Sequence, residues 1–274
     1  MNIARVFARR TKATPTDELA FYDEPGLFVP PVDVVHVSVT FSYDLSRAER
    51  LARSWSRIAP VTVGGPATGM AGEQFAPGMY LKPGYVITSR GCPNRCWFCR
   101  VWRREGEVRE LSITEGANVL DDNLLACSEA HIRAVFAMLK RQPKQAEFTG
   151  GLEAARLEPW HVDLLAGLKP KQAFFAYDTP NDYEPLVQAG RTLQEAGFEF
   201  RQKRLRAYVL IGHPKDTFEK AERRLYRTLE AGFWPMAMLY RDEGGKVDLA
   251  WRRFQRPWTR PAAMAHHVER RQKG

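Results

Sequence analysis

Between Tyr85 and Tyr240 the chain alternates short apolar runs with amphipathic segments, and this rhythm constrains the fold more than any other feature. The runs are Tyr85-Val86-Ile87-Thr88, Asn118-Val119-Leu120, Glu147-Phe148-Thr149, Gln172 to Tyr177, Leu205 to Ile211 and Met236 to Leu239. Several of the intervening segments carry helix signals. Ser128 precedes Ile132, Val135, Phe136 and Leu139 at helical spacing; a second helix is expected from about Asn181 to Gly197. A third starts at Asp216-Thr217-Phe218-Glu219 and stops at Gly232. A serine, threonine or aspartate just before a helix caps its free N–H groups, and a glycine ends it. Strands that alternate with helices form a parallel sheet, because a helical crossover returns the chain to the same end of the sheet. The expected class is α/β. Six strands are too few for a standard closed eight-stranded barrel.

Upstream, residues 1–30 are rich in charge, proline and threonine, and read as an irregular N-terminal arm. Residues 31–84 read as a short Rossmann-like βαβ unit. Its strands are Val34 to Phe41 and Pro60 to Gly64, the second ending in Gly65-Pro66. Ser46-Arg47-Ala48-Glu49 has the form of a capping box, and Leu51, Trp55 and Ile58 fall on one face of the helix it would open. Residues 241–274 form a basic, aromatic C-terminal extension containing Trp251, Phe254 and Trp258 among arginines. These aromatics either stack on bases or pack over one side of the sheet.

Three of the four cysteines, Cys92, Cys96 and Cys99, stand in the spacing CxxxCxxC directly after the first apolar run. Thiolates at this density hold soft metals or iron–sulfur clusters. Three ligands for a four-iron cluster leave one iron without a protein donor, a vacancy that suits a substrate and not a simple electron carrier. A structural zinc site is the alternative. It needs a fourth ligand, for which Cys127 and His131 are the nearby candidates, and its usual spacing differs. Cys127 otherwise reads as a small buried apolar residue, with methyl acceptance or radical quenching as the functional reading.

The cysteine spacing, with aromatic Phe98 before the last cysteine, resembles the signature of the radical S-adenosylmethionine enzymes. That resemblance covers roughly residues 85–240 and implies an open six-stranded (β/α)6 partial barrel. It implies a 4Fe-4S cluster on Cys92, Cys96 and Cys99, and S-adenosylmethionine cleaved reductively to a 5′-deoxyadenosyl radical that takes hydrogen from a substrate. Phe98 would lie against the adenine. Asp121-Asp122-Asn123 is similar to a "DDNF" segment that holds the amino nitrogen of S-adenosylmethionine; capping of the next helix is its other reading. Gly150-Gly151-Leu152-Glu153-Ala154-Ala155-Arg156 looks like "QGLDAR" with one extra alanine. There Arg156 would pair the carboxylate of S-adenosylmethionine, and Glu153 would face ribose or substrate. Tyr177-Asp178 matches an "FD" pair, and Tyr208 to Gly212 resembles a "VLIG" segment in which the backbone at Ile211 backs the adenine. His213 reads as a structural loop histidine or a proton carrier. Tyr240, Arg241 and Asp242 would lie near the substrate mouth.

The N-terminal unit resembles half of a cobalamin-binding domain. It has no DxHxxG motif to supply a cobalt ligand, and His36 lies inside a strand, so cobalamin is not expected. An external flavodoxin or ferredoxin is expected as reductant, docked on a surface whose formal net charge is +9. The same charge, with Arg201, Lys203, Arg204 and Arg206, points to a nucleotide or nucleic-acid substrate; a peptide or small metabolite is the other class. The runner-up function is a non-catalytic nucleic-acid-binding protein built around zinc or an inert cluster. No apolar run is long enough to span a membrane, and the residues after Met1 do not read as a secretory leader, so a reducing, cytoplasmic setting is expected.

Overall fold

The computed structural model describes residues 1–69, 79–242, 244–259, 263–265 and 268. It is an α/β protein that divides into two compact units. The first comprises residues 1–86, 91–107 and 242–245, and the second 87–90, 108–241 and 246–274.

The first unit contains β1 (Ile3–Phe7), β2 (Ala20–Phe21), β3 (Val34–Ser38), α1 (Leu45–Trp55) and β4 (Val61–Gly64). Its four strands form a parallel sheet in the order β2-β1-β3-β4. The N-terminal arm is therefore a correction: residues 3–7 form an inner strand. Arg5, which interrupts the apolar run, made the segment look irregular. Its guanidinium bonds the carbonyl of Met79 and the carboxylate of Asp17, so the charge is satisfied inside the fold. The capping box also shifts. Leu45 is already helical, Asp44 is the N-cap residue, and the buried Asp44 carboxylate takes a two-pronged bond from Arg9 at 2.6 and 2.7 Å. Val35, Val37, Ala48, Leu51 and Trp55 make the core, whereas Ile58 lies beyond the helix and is exposed.

The chain continues through β5 (Gly84–Val86), β6 (Ser89–Arg90), α2 (Val101–Arg104), β7 (Arg109–Glu110) and β8 (Gly116–Val119). Next come α3 (Glu129–Lys140), β9 (Glu147–Phe148), α4 (Pro159–Leu168), β10 (Gln172–Ala176) and α5 (Tyr183–Glu195). The last elements are β11 (Leu205–Ile211), α6 (Phe218–Glu230), β12 (Trp234–Leu239) and α7 (Leu249–Gln255). Six strands form a second sheet, ordered β12-β11-β10-β9-β8-β5. The pairs from β8 to β12 are all parallel. Ser128 and Thr217 cap α3 and α6 as their sequence positions imply.

The two faces of this second sheet differ. On one face Ala173, Phe175, Ala207, Val209 and Ala237 are fully buried, with Phe175 packed edge-on to Phe233 and Tyr177 against Tyr183 of α5. On the other, Gln172, Ala176, Arg206, Tyr208 and Met236 are half-buried and Met238 is exposed, while Phe174, Leu210 and Trp234 are buried among them. Strand alternation alone produces this split, since successive side chains point to opposite faces. The tail packs on the second unit. Phe218 of α6 meets Trp251 and Phe254, and buried Trp258 meets Tyr226. The arginines at 260 and beyond lie outside the described residues.

Trp55 is the largest side chain of the first core, tilted at 54° against Phe21 with ring centroids 4.6 Å apart and with its indole N–H donating to the Asp23 carbonyl. Trp55→Ala is expected to cost about 3–5 kcal/mol, the usual range for deleting a buried aromatic, read as a lowered urea midpoint; an unchanged midpoint would contradict this packing.

Candidate functional site

The cysteine segment begins at a clamp. Ser89–Arg90 pairs antiparallel with Arg109–Glu110, so the two ends of the loop between them are held side by side. Beneath the clamp lies Asp121, 1% exposed. It accepts from the Thr88 backbone N–H at 2.6 Å, the Thr88 hydroxyl at 2.5 Å and the Ser89 hydroxyl at 2.8 Å. Burial raises the Asp121 pKa, and these hydrogen bonds oppose the shift. Both carboxylate oxygens are thus engaged in fixing the strand that leads into the loop. Asp121 stands just past the end of β8, where the sequence reading placed it, with both oxygens accepting from Thr88 and Ser89.

Within the loop, Gly91 has φ +92°, and a Cβ there would stand 2.2 Å from the Glu107 carbonyl oxygen. Only glycine fits this close approach of the two loop arms. The Cys92 N–H bonds the Gly106 carbonyl and the Trp102 indole bonds the Cys96 carbonyl, while the Val101 N–H points at Cys99 Sγ from 3.5 Å. Cys92, Cys96 and Cys99 are half-buried, and no cysteine is in a disulfide. Phe98 meets Trp97 edge-on. Among the described residues, no three histidine, cysteine or acidic side chains stand close enough to hold a metal ion together. The donor set on this loop is nonetheless all sulfur, which is what an iron–sulfur cluster takes. Convergence of the three thiols is a rearrangement that metal binding would have to bring about.

Other expected residues gather along the C-terminal edge of the second sheet. Asn123 donates to Glu153 at 2.6 Å, and Arg156 donates to the same Glu153 oxygen at 2.8 Å. Three residues from two strand ends are therefore one network. Arg156 has a carboxylate partner already, which leaves its exposed guanidinium edge for any ligand. Asp122 lies 3.6 Å from Arg90. Gly150 passes so close to the preceding strand end that a Cβ would sit 2.1 Å from the Asp121 carbonyl oxygen, and Gly151 follows with φ +117°. Asp178 accepts the Leu210 N–H at 2.8 Å, tying the end of β10 to β11 near Ile211. Tyr177 is a correction: it shares the helix-covered face with Phe175, 2% exposed, and its ring does not reach the open side. The residue pair was legible in the sequence, but the parity of the strand was not.

Two further groups complete the edge. Fully buried Asp216 accepts the Gly212 N–H at 2.9 Å and an Arg224 bond at 2.7 Å, and that guanidinium also reaches the Leu210 carbonyl. This pair, which the sequence reading did not single out, fixes the turn after β11. His213 accepts the Lys215 N–H, and burial lowers its pKa, which favours the neutral ring. Cys127 lies beside Ser89 and Asp121, and burial pushes its thiol up to about 11. A thiol protonated at neutral pH is a poor metal ligand and nucleophile, which fits the packing reading.

Compared with known proteins, the chain matches no protein-family model and no curated protein.

Asp178 carries a pH signature. Burial, reinforced by the charge of Asp182, pushes its pKa up to about 7 from 3.8, against the Leu210 N–H and Arg224. A raised folded-state value means that the folded protein holds its proton more tightly. The resulting stability is complete below 3.8 and is lost as pH rises through about 7. Asp178→Asn should therefore melt progressively higher than the parent as pH is raised from about 5 to about 8, read by thermal denaturation. A gap that does not change with pH would contradict the shift.

Proposed function

We propose that this chain is a radical S-adenosylmethionine enzyme whose six-stranded sheet forms an open partial barrel. The observations that carry the reading are the three-cysteine loop, closed at its ends by the Ser89–Arg90 clamp, and the polar residues along the C-terminal edge of a parallel sheet. Active residues of such sheets gather at that edge, because the loops there converge. Cys92, Cys96 and Cys99 would hold a 4Fe-4S cluster. When bound, that cluster supplies one electron and an open iron for reductive cleavage of S-adenosylmethionine to a 5′-deoxyadenosyl radical.

The chain's own residues have separate tasks in this reading. Asp122 and Asn123 offer polar groups for the amino nitrogen of S-adenosylmethionine, with Asn123 oriented by Glu153. The free edge of Arg156 meets its carboxylate. Gly150 and Gly151 keep the backbone low so that a ligand can approach closely. Asp178 and Asp216 hold the backbone around Ile211 and Gly212 rigid, as a wall for the adenine; by the resemblance, Phe98 would also lie against that ring. A positioned wall costs nothing to reorganise at the moment of reaction. The net charge of +9 suits an acidic flavodoxin or ferredoxin as electron donor. No helix among the described residues is long and apolar enough to cross a membrane.

Anaerobically reconstituted protein, reduced in the presence of S-adenosylmethionine, is expected to release 5′-deoxyadenosine, and Cys99→Ala is expected to abolish both the four-iron absorbance and the product. Iron-loaded protein that forms none with candidate substrates supplied would contradict the proposal. One zinc per chain in protein isolated without oxygen, and no iron, would favour a non-catalytic nucleic-acid-binding protein instead.

A further inference from the structure

The four basic residues from 201 to 206 do not form one surface row. Arg201 pairs with Glu199, the Lys203 ammonium lies over the Trp234 ring at 4.6 Å, and Arg204 donates to the carbonyls of Lys169 and Pro170. Arg206 differs from all three. It lies on the open face of the second sheet, its guanidinium 5.0 Å from the centre of the Phe174 ring. Its Nη2 is shut off from water and has no hydrogen-bond partner among the described residues. Burial lowers its pKa, and an interaction with Tyr208 opposes the shift.

The neighbours explain why no counter-charge is at hand. Across the sheet Arg206 registers with Phe174 on β10 and with Trp234 on β12. Phenylalanine has no acceptor, and the Trp234 indole is a donor already spent on the Phe200 carbonyl. Along its own strand the same-face neighbours are Arg204, another cation, and Tyr208, whose hydroxyl donates to the Thr149 carbonyl. A guanidinium stays charged in proteins, and a buried charge is costly unless paired. Such a group is retained where a ligand brings the missing charge.

We propose that Arg206 receives an oxyanion, a carboxylate or a phosphate, of an elongated organic substrate lying along the open face. Above it the Phe174 and Tyr208 rings stack at 4.5 Å and 18°, and Met236 and Met238 continue the same face on β12. From Arg206 to the edge at Ile211 is five residue steps, about 16 Å of strand. An anionic head at Arg206 therefore leaves an apolar or aromatic body along Tyr208 and Met236, with its far end at the edge where the radical chemistry is proposed. The substrate role rests on that proposed function, whereas the anion site itself does not.

The test uses the full-length chain and two probes with the same ring and different heads, benzoate and phenyl phosphate, titrated at constant ionic strength. Saturable binding of at least one is expected, weakened about tenfold or more in Arg206→Gln, the worth of a charge-assisted bond. Binding should be unchanged in Arg204→Gln. The tighter probe identifies the head as carboxylate or phosphate. Arg206→Met is expected to melt no lower than the parent, because it removes an unpaired charge and keeps an apolar stem. Failure of both probes to bind the parent, equal binding to Arg206→Gln, or a lower melting temperature in Arg206→Met would overturn the inference. Neither probe needs the cluster or S-adenosylmethionine, so loss of this site with intact 5′-deoxyadenosine formation would remove the inference alone.

Discussion

Two oxygens of Asp121, removed from water, accept three hydrogen bonds from Thr88 and Ser89. Those two residues lead straight into Gly91 and Cys92, so the geometry of the cysteine segment begins with this carboxylate. Without it, the Thr88 N–H and two hydroxyls would be buried without acceptors, each at a cost of about 1–3 kcal/mol. The antiparallel clamp of Ser89–Arg90 on Arg109–Glu110 then brings the two ends of the loop together. A loop held at its root loses less entropy when its side chains gather on a ligand, because part of the ordering is already complete.

The same device recurs along the sheet edge. Asp178 accepts from Leu210, Asp216 from Gly212, and Glu153 takes donors from Asn123 and Arg156. At two of these ends a carboxylate meets a backbone N–H, of Leu210 and Gly212, and at the third Glu153 gathers two side-chain donors. The edge thereby becomes both polar and rigid. Charge balance differs between the two halves of the sheet. The edge pairs Asp216 with Arg224, whereas Arg206 lower on the open face has no anionic partner among the described residues. One charge completes the fold and the other is left for a ligand.

Much of this architecture was legible in the sequence for identifiable reasons. The strands of the second sheet fall in short, largely apolar runs, and Ser128 and Thr217 mark helix starts by ordinary cap chemistry. What escaped notice had weak local signals. The strand Ile3–Phe7 is interrupted by Arg5, whose charge is satisfied only by partners distant in sequence. The helix Pro159–Leu168 opens with proline, tryptophan and histidine and shows little contrast between its faces. Cap competition misled at Ser46, because Asp44 at the start of α1 is fixed by Arg9, which lies just beyond β1. The cysteine spacing and the acidic and glycine segments at strand ends were visible as motifs. Which of them turn toward the edge was not. Tyr177 and Asp121 depend on strand parity and on buried partners, and the missing counter-charge of Arg206 is a property of three strands in register.

The central claim is that the clamped loop holds a four-iron cluster with one iron open to S-adenosylmethionine. Electron paramagnetic resonance of the reduced, reconstituted protein tests it most directly. A signal that changes shape and position when S-adenosylmethionine is added, and does not change with adenosine, which lacks the amino and carboxylate groups, is the predicted result. Iron-loaded protein whose signal is the same with and without S-adenosylmethionine would contradict the account.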